Sequence, residues 1–228
     1  MKKFFRSIRI DKDSYETILA AWCICAALIW LTARYIGNPW ISIPISAFLV
    51  IFMCFITWFF RVPDRTVPEH ENERLVTSVA DGKVVILEKV FEKEYLQREC
   101  MQVSVYMNFF DVHCNFWPMS GRVTYYKYHP GKYLLAFHPK SSELNEHSSS
   151  CLKNRHGEVF FKQIAGTFAR RIVCYSVPGN MENRGDQCGV IKFGSRIDMF
   201  LPLDAEIQVK LGDKVKAVES VIAILPEE

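Results

Sequence analysis

The chain has 228 residues, half of them apolar, and a formal net charge of +3. That balance excludes a disordered chain, and it excludes a strongly basic nucleic-acid binder. The length suits one domain, or a smaller domain joined to a membrane segment.

Lys2, Lys3, Arg6, Arg9 and Lys12 precede an apolar run over residues 17–33. After a break at 34–39, a second apolar run covers 40–60. A helix needs roughly 20 apolar residues to cross a bilayer. The second run meets this. The first meets it when Tyr35 and Ile36 are counted and Arg34 snorkels to the interface. Neither run has a polar face. Trp22, Trp30, Tyr35, Trp40 and Trp58 lie within or beside the spans, several at the expected interfaces. The pair is predicted to form a transmembrane helical hairpin, and the apolar stretch is too long for a cleaved signal peptide. Basic residues flank its outer ends, Arg61 and Arg65 among them, whereas only Arg34 sits in the loop. The positive-inside rule then puts both ends, and everything after residue 60, on the cytoplasmic side of the cell membrane. Residues 59–68 (FFRVPDRTVP) read as an extended linker at head-group level. Residues 1–68 are therefore expected to form the membrane hairpin with its linker, and 69–228 a separate domain.

From Leu75 onward the pattern is mainly β. Residues 75–87 give two strands broken at Asp81-Gly82. Residues 100–107 alternate cleanly, and 122–129 form another strand. The polar, serine-rich stretch 138–156 carries no periodicity and reads as a loop. Residues 159–168 and 170–177 are strand-like, although 163–171 also suits a helical turn. Strands over 190–193 and 197–201 flank Gly194-Ser195. The stretch 205–225 reads as strand, Gly212-Asp213 turn, strand. Repeated hairpins of this kind resemble the barrel-sandwich hammerhead of lipoyl- and biotinyl-carrier domains, a likeness of fold alone. The eight cysteines include no C-x-x-C pair, so they suggest neither a zinc site nor a redox motif. Placed in apolar and strand-like segments, they suit buried thiols in a reducing compartment.

Three places offer chemistry. Asp81-Gly82 supplies a carboxylate, though Asp-Gly is also a common turn. His113 lies between a strand and a Pro/Gly turn, with Asp111 and Asn115 two residues to either side. Gly194-Ser195 supplies a hydroxyl, though a glycine bulge in a strand has the same appearance. A carboxylate, an imidazole and a hydroxyl on strand ends make the inventory of a triad. Spacing along the chain leaves open whether they meet.

The order of motifs resembles the phosphatidylserine decarboxylase family, in its short, membrane-anchored form. The matching segments are the two spans, the FFR-x-P-x-R-x-x-P exit at 59–68, and A-D-G-K-V at 80–84. They continue with F-D-V-H-x-N-x-x-P-x-x-G at 110–121, Asn145-Glu146, Q-I-A-G at 163–166 and A-R-R-I-V at 169–173. The last is G-x-I-x-F-G-S-R-x-D-x-x-L-P at 189–202. Two positions depart from the family's usual pattern. Phe116 stands where an arginine or second histidine is usual, and His147 stands where an arginine is usual. His113 is thus the histidine that this motif supplies.

The resemblance implies a proenzyme that cuts itself between Gly194 and Ser195 and converts Ser195 into a covalent pyruvoyl group. It implies Ser195 as nucleophile, His113 as base and reprotonating acid, and Asp81 as the carboxylate that orients the imidazole. Glycine at 194 lets the serine hydroxyl approach its carbonyl. The resulting ketone serves as an electron sink for loss of CO2 from a serine head group. Arg170, Arg171 and Arg196 are candidates for the substrate phosphate or carboxylate, and no metal is expected. The expected partners are a membrane phospholipid and the two fragments of the chain, held as a heterodimer that can assemble further. Two other readings fit: a decarboxylase of another serine-headed lipid such as archaetidylserine, and a non-enzymatic membrane-tethered adaptor with a lipoyl-like fold.

Overall fold

A computed structural model describes residues 9–134, 144–166, 171–192 and 195–227, with Arg171 and Ser195 as backbone. The chain divides into two units, Met1–Asp64 and Arg65–Glu228.

In the first unit, α1 (Tyr15–Tyr35) and α2 (Pro39–Phe59) carry the two apolar runs. Asn38 caps α2, its side chain accepting the Trp40 N–H, and Pro39 occupies the first turn, where its missing N–H has no partner to lose. Trp22 Nε1 donates across the hairpin to Thr57 Oγ1 at 3.2 Å. Strands β1 (Arg9–Ile10) and β2 (Arg61–Val62) pair antiparallel and bring the outer ends of the hairpin together. Both helices are long and apolar enough to cross a membrane.

The second unit is mainly β. Its strands are β3 (Leu75–Thr77), β4 (Gly82–Glu92), β5 (Arg98–Met107), β6 (Cys114–Phe116), β7 (Gly121–His129), β8 (His147–Asn154) and β9 (Gly157–Ala165). They continue with β10 (Arg171–Cys174), β11 (Met181–Glu182), β12 (Gln187–Lys192), β13 (Ser195–Leu201), β14 (Glu206–Ile207), β15 (Lys214–Val215) and β16 (Val221–Ile224). Eight of them form one curled half-barrel sheet in the order β11-β7-β8-β9-β13-β5-β4-β15. Two three-stranded sheets, β10-β12-β6 and β14-β16-β3, complete the unit.

Period-two alternation gives the large sheet two packed faces. Val103, Val105, Phe161, Ile197, Met199 and Leu201 enter the main core with Trp117, Ile222 and Leu225. The intervening residues Cys100, Cys151, Phe160 and Phe200 form a second cluster under Tyr95 and Tyr125. A one-residue slip would exchange these faces, so register is strongly specified. The buried Arg184 guanidinium donates to the carbonyls of Pro68, Glu69, Asn72 and Leu75, which ties the start of this unit onto its body.

Two expectations need correction. Residues 147–154, read as loop, form β8 in the middle of the large sheet. Its serines are buried with their hydroxyls bonded: Ser148 Oγ to Gln163 Oε1 at 2.8 Å, Ser149 Oγ to Glu94 Oε2 at 3.0 Å, Ser150 Oγ to Ser176 Oγ at 2.6 Å. Polar side chains with partners are compatible with a buried strand, so the missing hydrophobic alternation misled. The predicted hairpin across Gly212-Asp213 also divides differently. β14 pairs with β16, while β15 leaves to pair with β4. Residues 138–143 of the predicted loop lie outside the described residues.

Candidate active site

β13 is the central element of the site, flanked in the large sheet by β9 and β5. Its first residue, Ser195, is the register partner of Met107 at the end of β5 and of Ala165 at the end of β9. β12 ends at Lys192 in a different sheet. β12 and β13, consecutive in the chain, therefore belong to different sheets. Residues 108–113 cross between the same two sheets. β5 ends at Met107 opposite Ser195, and β6 begins at Cys114 opposite Val190. His113 lies on that connection, where its carbonyl accepts the Ile191 N–H at 3.2 Å. Backbone register thus brings His113 alongside the segment that leads into Ser195. Gly194 itself lies outside the described residues.

The His113 ring is fully buried. Its Nδ1 is 2.9 Å from the Asp111 carbonyl oxygen. A carbonyl only accepts, so Nδ1 is the donor in this contact and Nε2 is the candidate base nitrogen. The side chain of Asp111 is tied to the Asn108 N–H at 2.8 Å. Burial pushes the Asp111 carboxyl up, and the nearby Asp81 charge adds to that effect.

Asp81 and His113 are not joined by a hydrogen bond. The Asp81 carboxylate is gripped by Arg65, through a short contact to Oδ1 and a second to Oδ2 at 2.6 Å, and Oδ1 also accepts the Ala217 N–H at 2.8 Å. Arg65 Nη1 continues to the Ala217 carbonyl at 2.8 Å. The backbone that presents Asp81 depends on the next residue. Gly82 has φ +153°, and a Cβ there would lie 2.2 Å from the Tyr106 carbonyl oxygen. The two side chains of the Arg65–Asp81 pair are 8% and 13% exposed. Breaking one partner leaves a poorly hydrated charge. Asp81→Asn should therefore lower stability by about 3 kcal/mol, with much of it recovered in Asp81→Asn/Arg65→Met. A denaturant titration of the uncut protein tests this. Unchanged stability in Asp81→Asn would remove the structural role.

A buried polar chain adjoins these residues. Ser148 Oγ donates to Gln163 Oε1, and Gln163 Nε2 donates to Asn115 Oδ1, both at 2.8 Å. Glycine at 189 makes room for it, because a Cβ there would lie 2.9 Å from Gln163 Nε2 and 2.3 Å from the Val173 carbonyl oxygen. Asn145 Nδ2 donates to the Ala165 carbonyl at 2.7 Å and to the Leu134 carbonyl at 2.8 Å. Glu146 accepts the Tyr133 hydroxyl at 2.7 Å. Asn115, Gln163, Asn145 and Glu146 stood in the sequence motifs without a role. Their common signal is a polar residue within a strand-like run, which needs a partner when buried.

Of the three candidate arginines, two fall within the described residues. Arg196 is buried, and its guanidinium meets the Asp198 carboxylate twice, at 2.8 and 3.0 Å. Arg171 begins β10, where its register partner is Lys192, two residues before Gly194. Arg170 lies outside the described residues.

The family model described as phosphatidylserine decarboxylase matches residues 52–223. A phosphatidylserine decarboxylase proenzyme of Amoebophilus asiaticus is 49% identical over 76% of each chain. One from Cytophaga hutchinsonii is 43% identical, covering 94% of this chain and 97% of its own. One from Porphyromonas gingivalis is 38% identical, covering 96% and 100%.

Proposed function

We propose that this chain, which belongs to the phosphatidylserine decarboxylase family, is a self-cleaving membrane enzyme that converts phosphatidylserine to phosphatidylethanolamine. The family match carries the reading, because it extends across both sides of Gly194-Ser195. The placement of His113 on the crossing from β5 to β6 supports it.

In the first reaction, Ser195 Oγ adds to the Gly194 carbonyl carbon and the Gly194–Ser195 C–N bond breaks. His113 Nε2 takes the hydroxyl proton and returns it to the departing nitrogen. The product is an ester with a free amine. Removal of the Ser195 Cα proton then expels the Gly194 carboxylate and leaves a dehydroalanine. Its imine tautomer takes up one water and releases ammonia, which leaves a ketone at residue 195. The fragments are residues 1–194 and 195–228.

The described backbone fits such a group. β13 is paired on both sides, so a new chain end at residue 195 stays clamped between Met107 and Ala165. The C-terminal fragment also contributes β14 and β16 to one sheet and β15 to another. It therefore remains bound as one half of a heterodimer after scission.

The pyruvoyl ketone supplies the electron sink for loss of CO2 from the serine head group. His113 Nε2 holds the proton that the decarboxylated carbon needs. Arg170 and Arg171 are the residues assigned to phosphate or carboxylate, Arg171 by the pairing of its backbone with Lys192, whereas Arg196 is engaged by Asp198. Asp81 acts as a positioning residue that fixes Arg65 and the segment at Ala217. The helices α1 and α2 anchor the catalytic unit on the cytoplasmic face of the cell membrane, where the head groups lie.

Intact mass and a denaturing gel of purified protein test the reading. Two fragments are expected, with the smaller blocked to Edman degradation and shifted in mass by a carbonyl reductant. A continuous chain with an unmodified serine would overturn it. A chain beginning at Asp64 keeps the whole second unit and is expected to cut itself, yet to lose at least about tenfold activity on vesicles, because tethering supplies local concentration. Unchanged vesicle activity would remove the anchoring role.

A further inference from the structure

The geometry points to a divalent transition-metal site on the face of the large sheet opposite the main core, formed by Glu94, His129 and His147 and suited to Zn2+. His129 on β7 and His147 on β8 are register partners. Their rings stack, with centroids 4.3 Å apart and planes 13° apart. Glu94 arrives from the turn between β4 and β5, and its Oε1 lies 2.6 Å from His129 Nε2. One ligand atom from each residue lies within 4.8 Å of the other two. Zn2+, with bonds of about 2 Å, sets tetrahedral ligands roughly 3.3 Å apart. Ligation also requires the two stacked imidazoles to tilt apart, so that both in-plane lone pairs point at one ion.

The surroundings favour ligation. His147 Nδ1 donates to the Asn145 carbonyl at 2.7 Å. The proton is thereby fixed on Nδ1 and the Nε2 lone pair is presented, as is usual for metal-binding histidines. Lys162 Nζ takes the other Glu94 oxygen, Oε2, at 2.7 Å, together with the Ser149 hydroxyl at 3.0 Å. The Tyr125 hydroxyl approaches Oε1 at 3.3 Å. Glu92 lies 3.8 Å from the same ammonium. With His129 deprotonated, as ligation requires, two carboxylates against one ammonium leave a net negative charge, which attracts a dication. The His129 side chain is 24% exposed and gives an entry path.

Occupation ties the β4–β5 turn to β7 and β8. His147 also follows Asn145, whose side chain holds Ala165, the register partner of Ser195. All three ligands precede Gly194, so the site exists in cut and uncut protein alike.

The test uses tag-free, detergent-solubilised full-length protein stripped with a chelator, both wild type and the uncut Ser195→Ala variant. Zn2+ is titrated by calorimetry and thermal melting, and Co2+ by visible absorption. One equivalent is expected in each form, with a raised melting temperature and four-coordinate Co2+ bands. His129→Ala and His147→Ala should each weaken binding at least tenfold. Lys162→Met should tighten it, because the competing cation is gone. No saturable uptake by folded wild type overturns the site, as does uptake unchanged in the His129→Ala/His147→Ala double variant. Should the histidine variants fail to fold, unchanged affinity in Lys162→Met overturns it.

Discussion

Ser195→Ala is expected to yield one uncut polypeptide with no measurable decarboxylation of phosphatidylserine vesicles. Without Oγ there is no atom to add to the Gly194 carbonyl, so no ester forms and no fragment leaves. No ketone then exists at residue 195, and the reaction loses its electron sink. The fold should survive, because the pairing of Ser195 with Met107 and Ala165 is made by backbone groups that alanine retains. Denaturing gels and intact mass read the first expectation, and product lipid reads the second. Scission between 194 and 195 in this variant would assign the nucleophile elsewhere.

His113→Ala is expected to slow scission by about 10²–10⁴-fold, the usual range for a positioned acid–base group. The effect follows from position and tautomer. The residue is buried beside Ile191, and the Asp111 carbonyl accepts the hydrogen bond of Nδ1, which makes Nε2 the candidate base nitrogen. Alanine also opens a cavity, so a loss of stability could imitate a loss of chemistry. Added imidazole separates the two, since it restores a base without restoring the side chain's bond to Asp111. Recovery of scission with imidazole supports the role. Full scission without it would remove His113 from the first reaction. The uncut fraction over time, on gels, is the measurement.

Strand register explains why the arrangement around Asp81 differs from a simple triad. From its motif, Asp81 was expected to orient His113. The carboxylate is instead held by Arg65 and the Ala217 amide, and a backbone carbonyl takes the orienting position. Arg65 was legible as a basic residue of the exit segment that sets membrane orientation, not as the partner of Asp81. Its role appears only when the segment at 217 folds back beside Asp81. Arg196 shows the same limit. It adjoins Ser195 in the chain, yet alternation in β13 pairs its guanidinium with Asp198, two residues on.

The polar residues of β8 mark the other limit. A serine-rich stretch with no alternation of hydrophobicity is read as loop from sequence, because the signal for a strand is apolar periodicity. Ser148, Ser149 and Ser150 instead find hydroxyl partners on β9, on the β4–β5 turn and beyond β10. Those partners are distant in sequence, so nothing local announced them. The cluster of Glu94, His129 and His147 was hidden for the same reason, since its members come from three separate elements.

Adjacent residues by themselves determined the two apolar helices, the strands with clean alternation and the Gly194-Ser195 pair, because each is a property of neighbouring side chains and backbone. The tertiary structure decided which carboxylate meets which cation, where His113 places its proton, and that β12 and β13 belong to different sheets. Those outcomes depend on strand register and on side-chain contacts between segments up to about 150 residues apart, such as the Arg65 guanidinium and the Ala217 carbonyl. Register is set by burying one face of each strand against the others, a condition that no local stretch of chain contains.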